Sequence, residues 1–366
     1  MSDKASIWWC QVSNAVRVMN DISSHLTAEK STALFFPKHV PWYDFLFSHI
    51  SEKLHRKNSS NKLDIIDVSE KIINSPDDAG RIISQRYCPE IERWPGESYA
   101  EFLSSRDDIS LNNTYVWIKG INKSNYKHWC SFADEYETFC SSKKNRATFI
   151  LEYFEDGEKT VPVCRNIHII CWENEIKSYD YYMFCSLLVS DLKCSDEVKH
   201  YIAELAFLLG ERHAEFCALL TEYKEKFAEN PEEILRKCAE KFRYSDGEEI
   251  QLTSLYLTEQ IVLEAQIKNI FPIIERYRRR FITDNYEQLD FILPIENKVN
   301  EKISEPYDLD IGNIKYLIQM GKLKIDSEKE KKELDLFYRS RNKIAHNNAV
   351  SYQEVKKILS CFSESK

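Results

Sequence analysis

Glycine is scarce in this chain, with eight in 366 residues. Scarce glycine works against loops that wrap a phosphate, because such loops need bare backbone amides close to the ligand. No Gly-x-x-x-x-Gly-Lys-Ser/Thr loop occurs. The nearest echo, Gly120-Ile121-Asn122-Lys123-Ser124, lacks the Gly-Lys pair. The 11 cysteines contain no Cys-x-x-Cys pair and no Cys/His cluster of zinc spacing. They read as scattered buried thiols in a reducing compartment, not as a disulfide framework. No apolar run reaches membrane-spanning length, and Met1-Ser2-Asp3-Lys4-Ala5-Ser6 has no apolar signal core, so a cytoplasmic location without membrane contact is expected. A basic excess is also missing: the net charge of −9 argues against a constitutive, non-specific nucleic-acid binder. The charge is uneven, however. Residues 250–366 sum to about +1, which leaves about −10 on the rest.

What is present is enough apolar sequence, 43%, for a sizeable core, and enough length for two or three domains. Over residues 1–178, β-rich runs alternate with helical stretches. Strands are expected at Ser31–Phe36, Leu63–Val68, Thr114–Ile121, Ala147–Tyr153 and Ile167–Trp172. Helices are expected between them at Pro41–Leu54, Ala79–Tyr87, Tyr99–Leu103 and His128–Ser141. That alternation predicts an α/β domain with a parallel sheet. The turn after the first strand, Pro37-Lys38-His39-Val40-Pro41, has two prolines and no glycine, so it is no phosphate cradle. Glu152 and Glu155 at a strand end read as ordinary acids before they read as metal ligands. No metal site and no cofactor is expected.

Residues 179–246 turn helical and read as a helical extension. Expected helices include Val198–Leu209, His213–Phe227 and one opening at Pro231 behind Asn230. His213 and Glu215 read as plain helix surface. Ser245-Asp246-Gly247 is the expected boundary with an all-α bundle over 247–366. That bundle opens with a helix from about Thr253 to Ile282, expected to kink at Pro272. Leu289–Leu293 reads as a connecting segment and Ile311–Met320 as a short helix ended by Gly321.

The residues that carry chemistry lie near the end. From about Ser327 to His346 a helix is expected, with Leu334, Phe337, Tyr338, Ile344 and Ala345 as its apolar stripe. Asn347-Asn348 can take left-handed dihedrals and stop it. Ser351-x-x-Glu354 is a capping box for a last helix over Tyr352–Phe362. Arg341, Asn342 and His346 fall on the polar side, with Asn342 and His346 four apart. Arg341 lies about 140° round from His346, a gap its long side chain could partly close. His346 is expected at the junction of two helices, sheltered but close to solvent, at the negative end of the helix dipole. The trio suits RNA cleavage through the 2′-hydroxyl. Histidine shuttles the proton, arginine clamps the charge on the phosphorane, and asparagine orients one of them.

Arg341-Asn342-x-x-x-His346, in a Leu/Ile-rich helix followed by a turn and a further helix, resembles the signature of the HEPN superfamily (higher eukaryotes and prokaryotes nucleotide-binding). Glu264-Ala265-Gln266-Ile267-Lys268-Asn269-Ile270-Phe271-Pro272 resembles the first helix of one HEPN subgroup, and Asp308-Leu309-Asp310-Ile311-Gly312-Asn313-Ile314 the start of a middle helix. The resemblance covers roughly residues 250–366. It implies an all-α HEPN bundle, a metal-independent endoribonuclease of antiviral defence or a toxin–antitoxin system, and a homodimer in which two copies of the motif meet. Catalytic roles would pass to Arg341, Asn342 and His346. The basic run Arg276-Tyr277-Arg278-Arg279-Arg280, with Lys343, would contact RNA, unless that run is a solvated helix end. A non-catalytic HEPN scaffold that dimerises or binds a partner or RNA is the alternative. The first region resembles a degenerate P-loop NTPase of the STAND (signal-transduction ATPase) type that has lost its ATP site, which implies a regulatory or sensor domain for a protein partner.

Overall fold

In a computed structural model, the structure describes residues 3–57, 59–141, 143, 145–155, 162–296 and 302–361. The chain divides into two units, Met1–Asp180 and Tyr181–Lys366.

The first unit is built on a parallel sheet. In chain order it contains α1 (Asp3–Gln11), α2 (Ser13–Thr27), β1 (Thr32–Phe36), α3 (Tyr43–Lys57), β2 (Lys62–Asp67), α4 (Pro76–Tyr87), α5 (Tyr99–Ser105), β3 (Thr114–Ile121), α6 (Tyr126–Phe139), β4 (Thr148–Phe154), β5 (His168–Cys171) and α7 (Trp172–Glu175). Each of the five expected strands is there within a residue or two. The strand order is β2-β3-β4-β1-β5, every neighbouring pair parallel. β1 is buried at every residue, as a central strand covered on both faces must be, whereas β2 is an edge with one buried residue. On one face Phe35, Ile118, Phe149 and Leu151 pack with Trp129, Phe132 and Tyr136 of α6. On the other, Phe47 of α3 meets Trp117 edge-on at 4.8 Å, and Phe36 meets Trp172 at 5.6 Å.

Charged groups in this unit are used inside it. Glu152, 1% exposed, accepts a 2.7 Å hydrogen bond from the Trp117 indole. Burial pushes its carboxyl above the usual carboxylate range, against the opposing pull of Tyr43, Lys119 and Trp117. Glu137 is likewise raised by burial, although Ser31 and Arg146 oppose the shift; Arg146 approaches it at 2.7 Å. The turn after β1 is occupied by the protein itself, since the Trp9 indole donates to the Pro41 carbonyl at 2.9 Å. Gly120 is needed for a local reason. Its φ is +77°, and a Cβ there would come within 2.5 Å of the Ser69 nitrogen. The partial echo of a phosphate loop is thus a close backbone crossing.

α8 (Ser178–Leu188) runs across the division. The second unit continues with α9 (Asp196–Leu209), α10 (Ala214–Thr221), α11 (Glu225–Glu229), α12 (Pro231–Lys241), α13 (Ser254–Asp284), α14 (Tyr286–Ile292), the short pair β6 (Ile295–Glu296) and β7 (Lys302–Ile303), α15 (Ile311–Gln319), α16 (Glu328–Ala345) and α17 (Tyr352–Ser360). One hydrophobic core runs from Cys185 to Leu359. The helices of 179–246 and those of 247–366 therefore share an interior, and Asp246-Gly247 is a surface turn between the bridged residues Arg243 and Glu249.

Three local expectations are corrected. The helix expected over His213–Phe227 is broken into α10 and α11, because Lys224 takes φ +54°. The segment expected as a connection at Leu289–Leu293 belongs mostly to α14, pinned by the fully buried Leu289. In α13 the non-helical dihedrals fall at Leu257 and not at Pro272.

Candidate functional site

α16 forms because its apolar residues recur at helical spacing and its ends are capped. The Ser327 hydroxyl accepts from the Glu330 amide at 3.2 Å. Leu334, Phe337, Ser340 and Ile344 are buried. Tyr338 is half-buried and Ala345 exposed, so the stripe is narrower than expected. Phe337 stacks flat on Tyr277 of α13, with ring centroids 4.0 Å apart.

The helix ends at His346 in a closed turn. Asn347 takes φ +57°, its amide donates to the Ile344 carbonyl at 3.0 Å, and the Asn348 amide donates to that of Lys343 at 2.9 Å. This is the Schellman arrangement with asparagine in the left-handed position. The chain just beyond is clamped. Buried Gln266 of α13 both donates to the Val350 carbonyl at 2.8 Å and accepts from its amide at 2.7 Å. Ser351 and Glu354 then form the expected capping box of α17. Burial raises the Glu354 carboxyl, but hydrogen bonds from Lys343, at 3.0 Å, and Ser351 outweigh it and hold the group low.

His346 is exposed, and its ring makes no hydrogen bond among the described residues. This corrects the expectation of a sheltered position: α17 covers a different side of α16, and the capping residue projects past the last turn. Arg341 does not turn toward it. One guanidinium nitrogen donates to Asn342 Oδ1 at 3.3 Å, and another lies 3.6 Å from Asp310 Oδ2. Asp310 also caps α15 by accepting from the Asn313 amide at 2.6 Å. No sequence signal marks Asp310 as a partner of Arg341, although its place before an apolar helix, three residues ahead of Asn313, is a legible cap signal. Arg341 and His346 thus sit on two flanks of one helix, with Asn342 beside Arg341.

The expected RNA-contacting residues are not one cluster. Arg278 is committed to the protein: it pairs with Glu275 at 2.9 Å and donates to the Tyr307 and Leu309 carbonyls at 2.8 and 2.9 Å. It fastens the segment that leads into α15. Lys343 is tied to Glu354. Arg276, Arg279 and Arg280 are exposed, and Arg280 lies over the Tyr277 ring at 5.8 Å.

Elsewhere, His213 Nδ1 meets the Tyr244 hydroxyl at 2.7 Å and serves local packing. Glu155 lies 3.4 Å from Lys123. No disulfide joins the described cysteines, most of which are buried. No helix among the described residues is long and apolar enough to cross a membrane. No protein-family model matches this chain, and no curated protein sequence matches it.

Proposed function

We propose that the chain is an endoribonuclease of HEPN type that needs no metal, acting through Arg341, Asn342 and His346 in a homodimer, in antiviral defence or a toxin–antitoxin system. The observation that carries the reading is the placement of His346: a solvent-facing imidazole on a backbone fixed by the Asn347 turn, the Gln266 clamp and the α17 capping box. Such rigidity without occlusion is what a proton-transfer group acting on a large substrate requires. The 2′-hydroxyl of RNA attacks the adjacent phosphorus and the 5′-oxygen leaves, giving a 2′,3′-cyclic phosphate. Histidine handles the proton taken from the nucleophile or given to the leaving oxygen, and arginine stabilises the dianionic phosphorane. Because Arg341 and His346 occupy different flanks of α16, a second copy of the motif is the natural source of the missing group on each side.

The sheet unit is read as regulatory, with a protein partner as its input. Its parallel architecture is compatible with the resemblance to a degenerate STAND-type NTPase, and the filled turn after β1 agrees with a lost ATP site.

The second reading is a non-catalytic dimerisation or binding scaffold. What favours it is that Arg341 is already engaged by Asp310 and Asn342.

Cleavage of a mixed tRNA and mRNA pool with EDTA present separates the two. Cutting by wild type, with loss of at least about 100-fold in His346→Ala, is the expected result. Undiminished cutting by that variant would sink the nuclease reading. A wild type that dimerises and binds RNA but leaves the pool intact, with and without a cognate trigger from lysate, would favour the scaffold.

A further inference from the structure

His346 shares its side of α16 with residues outside the motif. Lys332, Arg339 and His346 follow one another at intervals of seven, which on a straight helix drifts by only about 20° per step. All three are exposed. Two such intervals span roughly 20 Å of helix. Beside this ridge, α16, α17 and the end of α13 enclose an open groove of about 1250 Å³. Six cationic and three acidic side chains line it, an excess of positive charge in a protein whose net charge is −9.

Two of the three acids and two of the cations are partly spoken for. Asp335 is held by Lys315 of α15, Glu333 lies 3.9 Å from Lys329, and Lys356 is bound by Glu225 at 2.5 Å. Lys332, Arg339 and Lys357 have no carboxylate within ion-pair distance among the described residues. The Arg339 Nε donates only to the Asp335 carbonyl at 3.3 Å, which leaves the rest of its fork open to solvent. Half-buried Leu336 and Cys361 supply an apolar floor.

We infer that this groove is the track for a single strand of RNA, leading its backbone along α16 to His346, with Lys332, Arg339 and Lys357 as the phosphate contacts. The inference rests on the ribonuclease reading for its destination, though not for the binding itself. Lys332 and Arg339 stand in file along α16 and Lys357 faces the groove from α17, which matches one phosphate chain held between them, and the apolar floor offers a surface to unstacked bases. The same geometry displaces the basic run of α13 from the leading role. Only Arg280 of that run lines the groove, while Arg278 is consumed by backbone carbonyls.

The test uses the full chain carrying His346→Ala, so that RNA is bound and not cut. A labelled single-stranded RNA oligomer is titrated across a salt series by fluorescence anisotropy. Lys332→Gln, Arg339→Gln and Lys357→Gln are each expected to weaken binding roughly fivefold at about 100 mM salt and to lower the slope of log affinity against log salt by about 0.7. The triple variant should lose about 2 in slope. Lys241→Gln and Lys324→Gln, exposed lysines off the groove, should change neither quantity. Circular dichroism of each variant confirms the fold. Unchanged affinity and slope in the triple variant, a preference for duplex RNA, or no RNA affinity in the parent would each overturn the inference. A parent that binds through these residues while wild type never cuts would retain the track and remove the nuclease reading. A triple variant with wild-type histidine that still cuts at full rate would do the reverse.

Discussion

The sheet unit and the motif helix treat charge in opposite ways. In the sheet unit, carboxylates go inside. Glu152 lies under Trp117 and Glu137 against Arg146, both held above their ordinary pKa by burial. Along α16, the charged groups stand toward solvent, and what is buried is Leu334, Phe337, Ile344 and the uncharged Ser340. A buried charge with a partner fixes structure, and removing either member exposes the desolvation penalty of the other. An exposed group on a rigid backbone contributes little to folding and stays available to a ligand. The contrast separates residues that hold this protein together from residues free to do chemistry.

Five substitutions sharpen or break that contrast. Phe337→Ala removes the ring stacked on Tyr277 from a fully buried site and should cost about 3–5 kcal/mol, read as a large drop in denaturant midpoint. Arg146→Ala should cost about 3 kcal/mol at neutral pH, because Glu137 keeps a buried charge without its guanidinium. The Glu137 carboxyl is already raised, so its ionisation opposes folding as pH rises above the unfolded value near 4.3. The deficit of the Arg146→Ala variant should therefore shrink as pH falls toward 4, and a deficit constant with pH would contradict the role given to burial. Glu152→Gln should stabilise by about 1 kcal/mol at pH 7 and by nothing below about pH 4, where wild type is protonated in both states. Thermal melts at the two pH values decide it, and a destabilised Gln variant at neutral pH would show that the carboxylate is needed. His346→Ala and Arg341→Ala should shift stability by no more than about 0.5 kcal/mol while abolishing cleavage. A variant that unfolds would move its residue from the second class to the first.

The contrast also marks how far the sequence could be read. The five strands were legible because short apolar, β-branched runs lie between turn signals. The ends of α16 and α17 were legible from Ser327, Asn347 and the Ser351/Glu354 box, all of them local devices. Illegible features depend on residues far apart in the chain. Nothing around Lys224 announces a positive φ, and nothing around Leu289 announces that the core will wrap a helix about it. Arg278 reads as one more cation in a basic run until the carbonyls of Tyr307 and Leu309 arrive from a distant segment. Arg341 and His346 could be placed on one helix from sequence. That Asp310 would draw Arg341 to the far flank could not. The mixed charges after Ser327 carry no sequence signal beyond helical spacing, and only the position of α17 makes Lys332 and Arg339 one wall of a groove.

The order of strands in the sheet unit bears on how the protein is made. β1 is the first strand to leave the ribosome, yet its neighbours on both edges are β4 and β5, the last two, with Thr32 pairing Ile150 and His168. An apolar strand, Thr32–Phe36, must therefore wait unpaired while most of its unit is synthesised, and the sheet closes only when β4 and β5 insert around it. Folding with such late, long-range pairing is slow and exposes an adhesive segment in the meantime. Until Cys171 has emerged the nascent chain keeps that strand unpaired, so aggregation during synthesis is a hazard separate from the stability of the completed fold.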